Sequence, residues 1–184
     1  MIFNHHLLLE EEFDRKITVH FNSTDYVANF QEADLFELNK VLYSSKVKYP
    51  MIWLQTGYRK EERTLGGRIL LKNCVFIFIT KGDQTDRYKK RFATSYNEIL
   101  YPLLDKFLTK IRRSRGVFFG DDNYSTVALP FNDVTELTAR ESRRGGIEKR
   151  VTESTPISDI WDALILDIDL MVNTDCYPDF FINN

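Results

Sequence analysis

The residues best placed to do chemistry are Asp167 and Asp169, two positions apart in a run that alternates apolar and polar side chains. In an extended chain that spacing turns both carboxylates to the same side. Two carboxylates side by side can hold Mg²⁺ for phosphoryl chemistry when another acid lies near. Asp121-Asp122 or Asp133, followed by Glu148-Lys149, could supply the further groups. The same alternation also describes an ordinary solvated strand face, and the pattern by itself favours that plainer reading.

Those acids loosely suggest the site of a restriction-like nuclease, but such spacings arise readily in a chain this charged, and the segment lacks the required core strands. The other chemical groups are sparser still. His5 and His6 are adjacent in a terminal segment and His20 sits in an expected strand; neighbours in an extended chain point apart, so the three make a poor metal trio. Gly66-Gly67 and Gly145-Gly146 lack the lysine and serine of a phosphate-binding loop and do not join a strand to a helix in the dinucleotide pattern. No Ser, Cys or Thr lies in a nucleophile elbow. The only two cysteines, Cys74 and Cys176, indicate neither a disulfide framework nor a four-ligand zinc site. We therefore expect no catalysis, metal or cofactor.

Basic residues form a second candidate feature. Lys89-Lys90-Arg91, Lys106, Lys110, Arg112, Arg113 and Arg115 crowd around one helical stretch, while Arg140, Arg143, Arg144, Lys149 and Arg150 populate a later segment. Cations near a helix C-terminus complement its dipole, which is a sufficient structural account of Arg112 and Arg113. The functional alternative is a positive strip that meets acidic neighbours in an oligomer, or DNA in a channel through phosphate contacts alone. The formal net charge of −2 supplies no global attraction to nucleic acid or anionic membrane, so any such contact must be local.

Several elements must position these groups. Ile17 to Phe21 alternates as a half-buried strand and suits a sheet edge. Asn29 followed by Glu32 predicts a capped helix running through Tyr43. Pro50 opens a strand through Leu54, and Gly66-Gly67 suits a tight turn before a long central strand from Arg68 to Thr80. Phe92, Tyr96, Ile99, Leu103, Phe107 and Ile111 recur every three or four residues and predict the main helix, kinked at Pro102. Ser95 and Glu98 also match a capping box, leaving open a start at Ser95 with a separate short helix before it. Asp162 to Val172 predicts a strand antiparallel to Arg68–Thr80, with Leu164, Leu166, Ile168, Leu170 and Val172 on one face.

Between these elements, residues 116–157 carry only isolated apolar clusters among Gly, Asp, Asn, Ser and Arg, and read as an arm, long hairpin or insertion. The expected whole is a single α+β domain over 1–184: a small, mostly antiparallel sheet packed by two helices, with that extended arm and a C-terminal tail at 173–184. With no stretch of about 20 apolar residues, we expect a soluble protein made without export and kept in a reducing setting.

The order of helix, Tyr49-Pro50-Met51-Ile52-Trp53-Leu54 strand, long apolar strand, helix with Ile99-Leu100-Tyr101-Pro102-Leu103-Leu104, and terminal strand resembles the tail-terminator and neck proteins of tailed bacteriophages. The resemblance covers Phe30 to Arg113 and Asp159 to Val172 and is one of layout. It implies a small α+β subunit in a closed connector ring between head and tail, located in the virion after assembly in the host cytoplasm. Its partners would be copies of itself, neighbouring head or tail rings, and DNA passing through the lumen by non-specific contacts, with no membrane. The segment 116–157 is longer than in the shortest members of that family. Candidate interface or channel residues are Arg112, Arg113, Arg115, Phe118, Phe119, Leu129, Phe131, Arg143, Arg144, Tyr177, Phe180 and Phe181. A metal-dependent nucleic-acid-processing enzyme using Asp167 and Asp169, or a small cytoplasmic adaptor, are the alternative readings.

Overall fold

The computed structural model describes residues 2–42, 44, 48–63, 67–82, 86–121, 123–131 and 160–182. In chain order, β1 (Ile2–Phe3) and helix α1 (His5–Phe13) precede a hairpin of β2 (Thr18–Phe21) and β3 (Thr24–Val27). Then come β4 (Asn29–Ala33), α2 (Leu35–Leu42), β5 (Met51–Gln55), β6 (Arg59–Arg63) and β7 (Arg68–Gly82). A continuous helical stretch follows, made of α3 (Tyr88–Arg91), a π-helical segment (Phe92–Leu100) and α4 (Tyr101–Arg113). The chain ends with β8 (Val117–Phe119), β9 (Ser125–Phe131), β10 (Ile160–Asn173), two short 3₁₀ turns and β11 (Phe181–Ile182).

The two longest strands organise the sheet. β10 pairs antiparallel with β7 from Ile160 opposite Gly82 to Asn173 opposite Arg68, as the alternation predicts. The sheet order is β4-β5-β7-β10-β8, with β6 beside β7 and β9 beside β10. Only β4 and β5 are parallel, joined through α2; the other pairs are antiparallel, so the class is α+β. The long strands are not regular throughout. Between Ile168 and Leu170 the register shifts, so Lys72 and Asn73 together oppose Asp169, and Asn73 takes φ 57° to make the bulge.

Alternation along β10 builds two cores. Leu164, Leu166, Ile168, Leu170 and Val172 lie buried beneath Tyr96, Leu100, Leu103, Phe107 and Ile111, with Leu8, Leu9 and Phe13 of α1 beside them. On the opposite face, Leu35, Leu38 and Leu42 of α2 cover Met51, Trp53, Ile77, Ile79, Trp161 and Ala163. Helices therefore pack on both faces, and more than two contribute.

Several expectations are corrected. Asn29 does not cap a helix: Asn29–Ala33 is a strand with Phe30 buried opposite Ile52, and Asp34 Oδ1 accepts from the Glu37 N–H at 2.8 Å to start α2 later. Sheet pairing outcompetes the local cap signal. The Ile17–Phe21 region is not an edge of the main sheet, because β2 and β3 form a separate two-stranded sheet. Ser95 does not open a helix; it is buried inside the continuous stretch. The missing N–H of Pro102 is accommodated in the first turn of α4, after a segment wound so that the Tyr101 N–H reaches the Tyr96 carbonyl five residues back. Within 116–157, β8 and β9 belong to the sheet, and β9 with β10 forms an antiparallel pair whose connection, 132–159, lies outside the described residues. The C-terminal residues also rejoin the body: Phe181 pairs with Phe3, and their rings meet edge-on at 5.2 Å.

Candidate functional site: clefts of opposite charge on the two sides of the sheet

Helix α4 buries Leu104, Phe107, Leu108 and Ile111, which leaves Asp105, Lys106, Thr109, Lys110 and Arg113 on its outer side. That outer side forms one wall of an open cleft of about 1080 Å³. Lys16, Ile17 and Thr18, from the turn between α1 and β2, form another wall. Ser114 and Arg115 after the helix, with Cys176 and Tyr177 near the end of the chain, complete it.

Five cations thus converge from separate segments on a cleft with two acids, Glu12 and Asp105. Glu12 is already engaged: its carboxylate lies 3.2 Å from Lys110 Nζ and accepts from the Tyr177 hydroxyl at 3.1 Å. Burial holds that hydroxyl above its ordinary pKa, so it stays a donor. Lys106 Nζ donates to the Thr18 carbonyl. Lys16, Arg113 and Arg115 are exposed and have no carboxylate partner among the described residues. Gly116 makes room for this wall, since a Cβ there would run into the Tyr177 ring.

Behind the sheet is a cleft of the other sign. Asp167 and Asp169 point away from the α4 side, and with Asp121, Asn73, Asn123, Ser125, Tyr58 and Tyr124 they line a space of about 780 Å³. Asp169 Oδ1 accepts from the Asn73 N–H at 2.7 Å, so part of its role is to hold the bulge. Ser125 Oγ lies 3.4 Å from Asp167 Oδ2. Among the described residues no three His, Cys, Asp or Glu side chains are grouped to hold a metal ion. Asp122, Asp133 and Glu148 lie outside those residues.

The other candidates scatter. Arg112 turns from the cleft to sit over the Phe119 ring at 5.8 Å. Phe118 is exposed opposite Met171, while Phe119 packs against the core opposite Leu170. Leu129 and Phe131 occupy register positions opposite Ala163 and Trp161. Phe180 packs on the same core as Tyr177, and Phe181 stays partly exposed in β11. Arg143 and Arg144 lie outside the described residues.

A titratable cluster at the start of α1 escaped the sequence reading. His5, Leu8, Leu9 and Phe13 share the buried side of a helix capped by Asn4, so His5 and His6 are not in an extended chain. The His5 and His6 rings lie 4.0 Å apart. Glu32, on β4, accepts from the Tyr58 hydroxyl at 2.6 Å and pairs with His6 Nδ1 at 2.7 Å. The helical spacing was present at the N-terminus, but it includes a histidine as one of its core positions.

Burial lowers the His5 pKa to about 4, with His6 and Lys60 adding to the shift. The unfolded chain, with an ordinary value of 6.5, therefore binds a proton that the folded chain refuses between those limits. Stability from His5 is complete above pH 6.5 and falls as pH drops toward 4. With the neighbouring ring open to solvent, we expect the loss at the acid end to be about 1–2 kcal/mol. Denaturant unfolding across this range should show a shallower acid loss for His5→Phe than for the unaltered protein; parallel curves would refute the assignment.

Taken with the fold, the clefts define a class: an α+β protein with charged surfaces of opposite sign on the two sides of one sheet. Comparison with protein-family models and with curated proteins finds no match to the chain.

Proposed function

We propose that this chain is a structural subunit of a phage virion, assembling head to tail into a ring at the head-tail junction or tail, in the manner of tail-terminator and neck proteins, without catalysis. One observation carries the reading beyond the resemblance of layout. Five of the eight exposed large apolar side chains among the described residues fall toward the two ends of the strand order. Phe118, Tyr124 and Val127 belong to β8, β9 and the turn between them. Leu7 is on α1, which packs on β4, and Val27 on β3, which precedes it; Phe36 on α2, Tyr101 on α4 and Phe181 on β11 lie elsewhere.

Different exposed side chains toward the two ends favour a heterologous contact, in which one end of a subunit meets the other end of the next. Such a contact closes into a ring when its rotation divides a full turn. β9, which pairs on one side only among the described residues, adds backbone donors and acceptors to its end. Neighbouring rings and DNA in the lumen are the further partners of this reading. Native mass spectrometry with negative-stain microscopy tests it: closed rings of one subunit number are expected, and a protein monomeric at all accessible concentrations would end the proposal.

A further inference from the structure

We propose that the basic cleft is a docking site for a second copy of this chain, which presents the acidic face around Asp121 and Asp167. The inference rests on the ring reading and adds to its apolar patches a second, charged pair of surfaces that meet.

Lys16, Arg113 and Arg115 have no carboxylate partner among the described residues, and Asp121, Asp167 and Asp169 have no cationic one. The helix dipole accounts for Arg113 at the end of α4. It does not account for Lys16 or Arg115, which reach the same cleft from a different turn and from the segment after the helix. Nor is the cleft a set of isolated surface lysines, because Lys106 and Lys110 are anchored to Thr18 and Glu12 and fix its walls.

The choice of occupant follows from the lining. Glu12 and Asp105 would repel a continuous phosphate backbone, and the one aromatic wall, Tyr177, is tied to Glu12 rather than offered for stacking. A folded surface with discrete carboxylates set among Asn, Ser and Tyr suits such a mixed lining better. The chain carries that surface on the side of its sheet away from α4. Because the two surfaces lie on opposite sides, each docked copy leaves one of each free, so the contact repeats until it closes or stacks. Lys16, Arg113, Arg115 and Asp121 are exposed and Asp167 half-buried, so the attraction should be screened when salt shortens the Debye length.

The test uses the full chain and two double variants, Arg113→Glu with Arg115→Glu, and Asp121→Lys with Asp167→Lys; Asp169 is spared because it holds the bulge. Sedimentation velocity at ~50 mM and ~0.5 M salt reads association. Each variant alone should associate about tenfold or more weakly than the unaltered protein at low salt. An equimolar mixture should recover association, because each variant then meets a partner of opposite charge at both surfaces. Unchanged association of either folded variant, or a mixture of folded variants that does not recover, would overturn the docking assignment. Closed rings that persist in both variants would overturn it while leaving the ring reading intact. Salt-sensitive open chains with recovery on mixing would sustain it and overturn the ring. A monomeric unaltered protein would overturn both.

Discussion

Asp162→Ala is expected to lower the unfolding free energy by about 3–5 kcal/mol, measured by urea or thermal unfolding. Asp162 is fully buried, and Arg91, only 6% exposed, reaches it across 71 residues of chain. Arg91 Nη2 lies 2.6 Å from Asp162 Oδ1, its Nε lies 3.4 Å from Oδ2, and Nη2 also donates to the Trp161 carbonyl at 3.3 Å. Removing the carboxylate takes from the buried guanidinium a charge partner that water cannot readily replace.

The size of the loss reflects that uncompensated charge rather than the net worth of the pair. Exchanging both residues for apolar ones of similar volume, as in Arg91→Met with Asp162→Leu, should therefore recover much of it. A single substitution costing no more than an exposed surface change would show that the pair does not hold the α3 end of the helical stretch to β10.

Phe107→Ala is expected to cost a similar ~3–5 kcal/mol, for a different reason. The ring is fully buried, with the Phe13 and Phe76 rings at 4.8 Å and the Phe78 ring at 5.2 Å. It joins α1, β7 and α4 at one point, so truncation leaves a cavity that three elements would have to close together. Phe107→Leu should cost less, because more of that volume stays filled. Equal losses for the two substitutions would contradict the packing account.

A functional consequence accompanies the second prediction. Lys106 and Lys110 flank Phe107 on α4 and take their positions in the basic cleft from the way that ring seats the helix. If the basic cleft docks a second copy as proposed, partial loosening of α4 should weaken that association before the protein unfolds.

Much of the frame was legible because its signals are long. The alternation from Asp162 to Val172 and the apolar run after Arg68 each extend over many residues, so a few polar interruptions do not hide them. The main helix was legible for the same reason. Short elements were not. Asn29 to Glu32 carries a credible cap motif, but the same residues pair with β5, and burial of Phe30 outweighs a cap of about 1 kcal/mol. α1 hid behind a histidine at a core position, and β8 and β9 are short apolar runs set in a polar segment, too brief to show a period before they pair with β10.

The candidate site divides in the same way. Residue types and local spacing by themselves determined the α+β class, the two long strands, the face shared by Asp167 and Asp169, and the crowding of Arg112, Arg113 and Arg115 at the end of a helix. Only tertiary structure decided that Arg113 and Arg115 meet Lys16 and Tyr177 in one cleft while Arg112 turns to Phe119, that Asp121 joins Asp167, and that Arg91 finds Asp162. The physical reason is range. Periodicity reports which side of its own element a residue occupies, whereas a charged surface or a buried ion pair depends on which distant elements the burial of their apolar faces brings together.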